Sequence, residues 1–313
     1  MATRDRSAPP RRPHRCGFIA LIGQPNVGKS TLLNRMLGQK IAITSDRPQT
    51  TRNRIPGVLT RPGVQAIFLD TPGLHRPHRA LNQHMVEVAT GAIGDADVVA
   101  LVVEAGIGPD GQVGVSDITR ELLTLLKPTG KPVLLILNKI DRLLREHLLP
   151  IIDAWQKEHP FTAIVPLSAL EGDGVDLLVD QLLGALPEGP ALYPEDTLTE
   201  LPERFFAAEI IREKLFRQLA KELPYSVAVS IETWTDRASE GAVEIAAIIH
   251  VERESQKAIV IGRGGAQIKA LGIAARQDLE RFLDIQVHLS LFVRVDRAWT
   301  QSPGALKRLG YGS

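Results

Sequence analysis

Short apolar runs alternate with helical patterns from Gly17 to about Leu186, and the texture of the chain then changes. The runs at 18–22, 65–70, 98–103, 133–138 and 163–167 have the length and apolar content of buried strands. Such runs separated by helical stretches predict βα units around a mostly parallel sheet with helices on both faces, an α/β domain. Four of the five lead directly into polar, glycine-bearing motifs, which is where an open α/β sheet places ligands, beyond the carboxyl ends of its strands.

Further along, residues 204–223 read as an amphipathic helix ended by Pro224. Ala208, Ile211, Leu215 and Leu219 fall on one stripe, and Glu209, Arg212, Glu213 and Arg217 are expected to face solvent on the other side. Strands are predicted over 225–234 and 242–251, helical patterns on either side of Gly262 to Gly265, and a last strand over 286–295. In that strand Val287, Leu289, Leu291, Val293 and Val295 alternate with His288, Ser290 and Arg294, as expected when one face is buried. The order αββααβ describes a second, smaller α+β domain. No internal repeat is visible.

Composition sharpens this division. The chain has 313 residues, more than one domain usually holds, with 44% hydrophobic and 23% charged side chains, an ordinary globular balance. Aromatics make up only 4%, so a nucleic-acid site here cannot rest mainly on aromatic stacking. The single cysteine, Cys16, excludes an intramolecular disulfide and suits a reducing cytoplasm; a buried, inert thiol is expected of it. No apolar run is long enough for a membrane span.

The net charge of +1 is unevenly spread. Residues 1–15 carry +4 and read as a disordered basic tail; prolines at 9, 10 and 13 oppose the amphipathic helix of a transit peptide. Residues 16–187 carry −1, the extent expected of the α/β domain. Residues 188–203 carry −5 with three of the four prolines between 187 and 202, and read as an extended, solvated linker. Residues 204–313 carry +3.

Gly23, Gln24, Pro25, Asn26, Val27, Gly28, Lys29 and Ser30 match G-x-x-x-x-G-K-[ST] without a mismatch, between an apolar strand and a helical pattern that Thr31 continues. Glycines let backbone N–H groups close around phosphate oxygens, Lys29 reaches the β and γ phosphates, and Ser30 binds Mg²⁺. Asp70, Thr71, Pro72 and Gly73 follow about forty residues later, with an acid for the Mg²⁺ shell and a backbone N–H for the γ-phosphate. Asn138, Lys139 and Asp141 close another strand; the Asp141 carboxylate can accept two hydrogen bonds from a guanine edge, which adenine cannot supply. Ser168 and Ala169 complete the base pocket, with backbone N–H offered to guanine O6.

Between the first two motifs, Gln49, Thr50, Thr51 and Arg52 lie in a polar loop. One of the two threonines is expected to reach Mg²⁺ only while a γ-phosphate is present, which makes the loop a switch; the sequence does not choose between them. In GTPases that resemble Ras the residue after this glycine is a glutamine that orients the attacking water; here it is Leu74, which cannot, and the resemblance thus implies slow intrinsic turnover. His75 and His78 are candidates for a catalytic imidazole or for plain solvated loop residues. The candidate catalytic set is Lys29, Thr50, Thr51, Asp70 and Gly73, and the candidate metal set Ser30, Thr50, Thr51 and Asp70.

In the second domain, Gly262, Arg263, Gly264 and Gly265 form a G-x-x-G loop, preceded by Val260 and Ile261 and flanked by Lys257 and Lys269, with no acid from Ser255 to Ala275. Among 26 glycines a G-x-x-G is expected by chance and reads by itself as a turn. The αββααβ order and the scarcity of aromatics make the surroundings resemble a type II KH domain, whose glycine loop clamps about four nucleotides of single-stranded RNA.

Taken in order, GQPNVGKS, QTTR, DTPG, NKID and SA resemble the translation-factor class of GTPases, and specifically the Era family. The second half is similar to that family through Glu209 to Leu215, Leu223 to Ser226, Val251 to Glu254 and Leu309 to Tyr311, so the resemblance runs from Gly17 to Tyr311. It implies GTP and GDP as nucleotides, Mg²⁺, and K⁺ admitted by Asn26. It also implies the 3′ end of small-subunit ribosomal RNA as ligand, maturation of the small ribosomal subunit as the process, a monomer, and a cytoplasmic location with peripheral membrane contact. Two features depart from the family: Arg263-Gly264 stands where Asn-Lys is frequent, and the basic tail is additional. Two other readings remain open: an RNA-binding protein with a purely structural nucleotide, and a membrane-surface signalling GTPase whose KH-like half serves protein contacts.

Overall fold

The computed structural model describes residues 14–45, 47, 50–74, 80–106, 113–219, 223–237 and 241–311. Most of the 1–15 tail, Gln49, His75 and His78 lie outside the described residues. The first domain carries a six-stranded sheet of order β2-β3-β1-β4-β5-β6, from β1 (Arg15–Ile22), β2 (Ile55–Arg61), β3 (Val64–Asp70), β4 (Val98–Glu104), β5 (Val133–Asn138) and β6 (Ala163–Pro166). All neighbours pair in parallel except β2 with β3. The β2 run was not among the apolar runs because Pro56-Gly57 breaks its pattern; it is the edge strand, where proline and glycine are tolerated.

Helices α1 (Lys29–Leu37), α2 (Ala80–Asp95), α3 (Asp117–Leu126), α4 (Leu148–Gln156) and α5 (Val175–Ala185) cover both sheet faces. Alternate strand residues divide between two cores, one gathering Ile19, Leu21 and Phe68 with α1 and α5, the other Ala20, Ile22 and Ile67 with α2, α3 and α4. Cys16 is buried, and burial raises its thiol pKa, which keeps it unreactive.

The second domain runs α6 (Glu203–Gln218), β7 (Ala228–Arg237), β8 (Ala242–Val251), α7 (Glu254–Ile261), α8 (Ala266–Leu283) and β9 (Gln286–Val295), the αββααβ order, and adds α9 (Pro303–Arg308). Its sheet order is β7-β8-β9, with β8 and β9 parallel. Ile249 and Val251 of β8 pack with Leu271 and Ala275 of α8, Val260 of α7 and Ile211 and Leu215 of α6.

Two expectations are corrected. Of the charged side of α6 only Arg217 faces solvent: Glu209, Arg212 and Glu213 are buried, because that side packs against the first domain, where Arg212 donates to the Thr50 carbonyl and Lys40 Nζ lies 2.6 Å from Glu213. The 188–203 segment is extended, and its acids Glu188, Glu195, Asp196, Glu200 and Glu203 are exposed, but its backbone is not free in solvent. Gln65 accepts from the N–H groups of Leu192 and Tyr193 (2.8 and 2.9 Å), Leu198 O accepts from Val58 N, and Thr199 donates to Pro56 O, so the strap lies along the β2 and β3 edge. A strand edge with unpaired backbone groups supplies the partners that a composition-based reading cannot see.

Candidate functional site

β1 ends at Ile22 and hands the chain to the first glycine motif. Asn26 takes a left-handed conformation (φ 63°) and Gly28 another (φ 99°), so the loop folds back over the amino end of α1. A Cβ on Gly28 would stand 2.2 Å from Asn138 Nδ2, so only glycine fits. Lys29 is buried, and its Nζ donates to Gly23 O (3.1 Å) and Gln24 O (2.9 Å). Burial pulls its pKa down to about 8, against the opposing pull of Asp70.

Beside it three oxygen donors converge. Ser30 Oγ donates to Asp70 Oδ2 (2.6 Å) and lies 2.9 Å from Thr51 Oγ1, which donates to the same carboxylate at 3.4 Å. Asp70 Oδ1 is buried without a hydrogen-bond partner. Burial raises the Asp70 pKa, with Lys29 opposing. Two hydroxyls and one carboxylate with an unpaired oxygen are a hard-oxygen donor set suited to Mg²⁺. Thr50 is different: its hydroxyl donates to Arg47 O at 2.8 Å. The backbone thus separates two threonines that the sequence leaves equivalent.

Thr71 Oγ1 donates to Leu21 O (2.7 Å), and Leu74 N donates to Gly23 O (3.1 Å), which lays the segment from Asp70 to Gly73 against the glycine loop. A Cβ on Gly73 would come within 2.6 Å of Pro25 Cα. The Leu74 side chain is buried in the core, turned into packing rather than toward a water.

At the far end, Asn138 braces two loops: Nδ2 donates to Val27 O (2.7 Å) and Oδ1 accepts from Ala169 N (2.9 Å). Ser168 Oγ donates to Asp141 Oδ1 at 2.6 Å, orienting the carboxylate. The backbone donors of Ser168 and Ala169 both have partners inside the chain, Ser168 N on Asp173 O and Ala169 N on Asn138, so neither is held open for guanine O6 alone. Lys139, left-handed at φ 68°, reaches Glu104 Oε2 at 2.6 Å.

These parts enclose one cavity of about 490 Å³. Pro25, Asn26, Gly28, Lys29, Ser30, Thr31, Thr50, Thr51, Gly73, Asn138, Lys139, Asp141 and Ala169 line it. Gly23, Gln24, Val27, Asp70 and Ser168 are not in that lining but bond to residues that are, Thr71 ties its segment to Leu21 O, and Pro72 lies outside the lining. Missed by the motifs are Ile43 to Ser45, Glu104, Arg142 and Leu170, which also line it; only adjacency to a motif marks Arg142 and Leu170 in the sequence. Among the described residues no cluster of three or more His, Cys, Asp or Glu side chains could hold a metal ion, in keeping with a site built on hydroxyls.

The second candidate site lies on the other domain. Gly262, Gly264 and Gly265 have φ of 73°, 60° and 78°, and with Arg263 they turn α7 into α8. Arg263 and Lys269 are exposed, while Lys257 and Ile261 are half-buried. Behind the loop a groove of about 330 Å³ runs between α8 and β9, lined by Ile268, Lys269, Gly272, Ile273, Arg276, Leu289 and Leu291. It is aliphatic with two cations and no aromatic ring, suited to unstacked bases and a phosphate backbone. Of this lining only Lys269 was among the candidate residues, although Gly272 and Arg276 follow Ile268 at the four-residue spacing of one helix face.

Residues 18–139 match the family described as 50S ribosome-binding GTPase, and residues 222–300 match the KH domain family. The chain is 52% identical over 297 residues to the GTPase Era of Geotalea uraniireducens, covering 95% of this chain and 98% of that protein. It is 50% identical over 299 residues to the GTPase Era of Geobacter metallireducens, covering 96% and 98%. A solved structure of Era in complex with MgGDPNP and nucleotides 1506–1542 of 16S ribosomal RNA superposes with a TM-score of 0.90 at 41% identity, over 96% of this chain and all of that one. An Aquifex aeolicus Era variant bound to GDP·AlF4⁻ superposes with a TM-score of 0.89 at the same identity and coverage. With the match spanning both sites, the chain belongs to the GTPase Era family.

Proposed function

We propose that this protein is a guanine-nucleotide switch that hydrolyses GTP slowly and, in its GTP form, holds the single-stranded 3′ end of small-subunit ribosomal RNA during maturation of that subunit. The observation that carries this reading is the joint presence, in one chain aligned end to end with Era, of a cavity gathering five nucleotide motifs and an aliphatic groove behind a G-x-x-G loop. The relative solved with both ligands holds GDPNP and a 16S RNA segment, and the same assignment is extended here. The words 50S ribosome-binding describe a family matched over the first domain alone; the RNA assignment follows the likeness that spans both.

In the cavity, backbone N–H groups of residues 26–30 and Lys29 hold the phosphates, and Asp141, held by Ser168, selects guanine. Thr51, Ser30 and Asp70 would hold Mg²⁺, which supplies neutralisation of phosphate charge. Thr51 rather than Thr50 is assigned the switch role, since it alone of the two points its hydroxyl at Ser30 and Asp70. With the Leu74 side chain committed to the core, no side chain there orients the attacking water, and turnover without a stimulus is slow. K⁺ beside Asn26 is assigned as an additional cofactor; an unchanged rate on replacing K⁺ by Na⁺ removes it.

In this reading the protein works as a cytoplasmic monomer with peripheral contact to the membrane face. No described helix is long and apolar enough to cross a membrane. Fluorescence anisotropy with a short RNA ending in the small-subunit 3′ sequence tests the RNA assignment. Binding that Arg263→Glu with Lys269→Glu weakens supports it, and binding indifferent to that double change assigns the KH half to protein contacts instead.

A further inference from the structure

The loop bearing Thr51 touches two domains at once. Thr51 turns its hydroxyl into the Ser30 and Asp70 cluster, while its neighbours on both sides are gripped by the second domain. The Thr50 carbonyl accepts from Arg212 of α6, which in turn is held by Glu209. The Arg52 guanidinium is 1% exposed and donates to three backbone carbonyls of the turn before β7: Val227 O (2.7 Å), Tyr225 O (3.1 Å) and Pro224 O (3.2 Å). It lies between the rings of Tyr311, Phe216 and Trp299, at 5.6, 5.7 and 5.8 Å from their centroids. Asn53 adds a bond to Gly310 O at 3.1 Å.

This cage is unusual in what it lacks. Among the described residues no carboxylate forms an ion pair with Arg52; it meets neutral carbonyls, ring faces and the Tyr311 side chain, Glu209 attracts it and Arg212 repels it through space, and its Nε is buried with no hydrogen-bond partner. Without a direct ion-pair partner, the buried guanidinium depends for its seat on these carbonyls and rings, and so on the backbone that carries it into them. Two of the rings that flank it, Trp299 and Tyr311, also pack with Leu81 and Met85 of α2, the next helix after the Asp70 to Gly73 segment. The Thr51 loop and α2 therefore lean on one patch of the second domain.

We propose that Arg52 is the positioning residue that couples the two domains: caged by the second domain, it holds Thr51 against Ser30 and Asp70, so the KH half completes the site that tells GTP from GDP. Coupling of this kind is reciprocal, so whatever pulls Thr51 inward also seats Arg52 in its cage and fixes the second domain. This rests on the reading of the protein as a nucleotide-controlled RNA binder and names the residue through which that control passes.

The test uses the full chain carrying Arg52→Gln, Arg52→Lys or, on the other domain, Tyr311→Leu, with affinities for GDP and GDPNP and a melting curve in each nucleotide. Arg52→Gln is expected to weaken GDPNP at least fivefold, about 1 kcal/mol, while GDP affinity stays within twofold, and Arg52→Lys to recover part of the loss. Tyr311→Leu, which touches no nucleotide, is expected to shift the ratio in the same direction. A purely structural role would lower melting equally in both nucleotides and leave the affinity ratio untouched. A wild-type ratio in Arg52→Gln, or in Tyr311→Leu should the first variant not fold, overturns the proposal. RNA affinity of the unsubstituted protein that ignores nucleotide would sink the RNA-control reading, while the GDPNP to GDP ratio of the variants still decides the role of Arg52.

Discussion

The two glycine loops of this protein are built for the same chemical group and solve the problem in opposite ways. The loop from Gly23 to Ser30 is boxed in: Gly28 abuts Asn138, Gly73 abuts Pro25, and Lys29 is buried. The loop from Gly262 to Gly265 is closed only at its base, where a Cβ on Gly262 would stand 2.8 Å from Gln267 Cβ; its tip stands open, with nothing within 4 Å of a Cβ placed on Gly264 or Gly265 and with Arg263 in solvent. An enclosed cradle reads one small ligand closely, because every donor is fixed and every misfit meets an atom. An open loop beside an aliphatic groove lets a polymer pass through and takes its affinity from charge and backbone approach.

Substituting the same residue type in each loop breaks the comparison most sharply. Gly28→Ala drives a methyl into an Asn138 side chain that is itself held by Val27 O and Ala169 N, at a φ that alanine resists. Guanine-nucleotide affinity is expected to fall on the order of 100-fold by titration calorimetry, from the sum of clash and backbone strain. The buried lysine gives the next effect. Its pKa of about 8 means that phosphate binding, which favours the charged form, must return a proton above that pH. Affinity should fall roughly eightfold between pH 7.5 and 9, with proton uptake visible as a dependence of binding heat on buffer; a flat profile contradicts a lowered Lys29 pKa.

On the open loop, Arg263→Glu with Lys269→Glu should weaken RNA about tenfold near 0.1 M salt and reduce the steepness of the salt dependence, while nucleotide affinity is unchanged. The smallest effect is expected for Gly264→Ala, where space is free and only the left-handed φ of 60° opposes the methyl. RNA affinity should drop no more than a few-fold, about 1 kcal/mol. A loss as large as that of Gly28→Ala would mean that the second loop is as closely fitted as the first.

The same contrast governs what the sequence discloses. The nucleotide motifs are legible because phosphate, metal and guanine each demand particular residue types at particular places, and strands β4, β5, β8 and β9 follow directly from apolar runs. Which of Thr50 and Thr51 faces the metal site is not legible, since it depends on the turn of a backbone. The charged side of α6 misleads for a related reason: Glu209, Arg212 and Glu213 have the pattern of a solvated face and become buried only through a second domain. Arg52 reads as the last letter of a motif, and its ring partners Phe216, Trp299 and Tyr311 lie more than 160 residues away along the chain.

The measurement that bears most directly on the central claim is the affinity of the full chain for an RNA ending in the small-subunit 3′ sequence, loaded either with GDP or with GDPNP. The account predicts several-fold tighter binding with GDPNP, about 1 kcal/mol of coupling between the cavity and the groove. Equal affinities would contradict it and leave a nucleotide-binding domain and an RNA-binding domain that share a chain without sharing a switch.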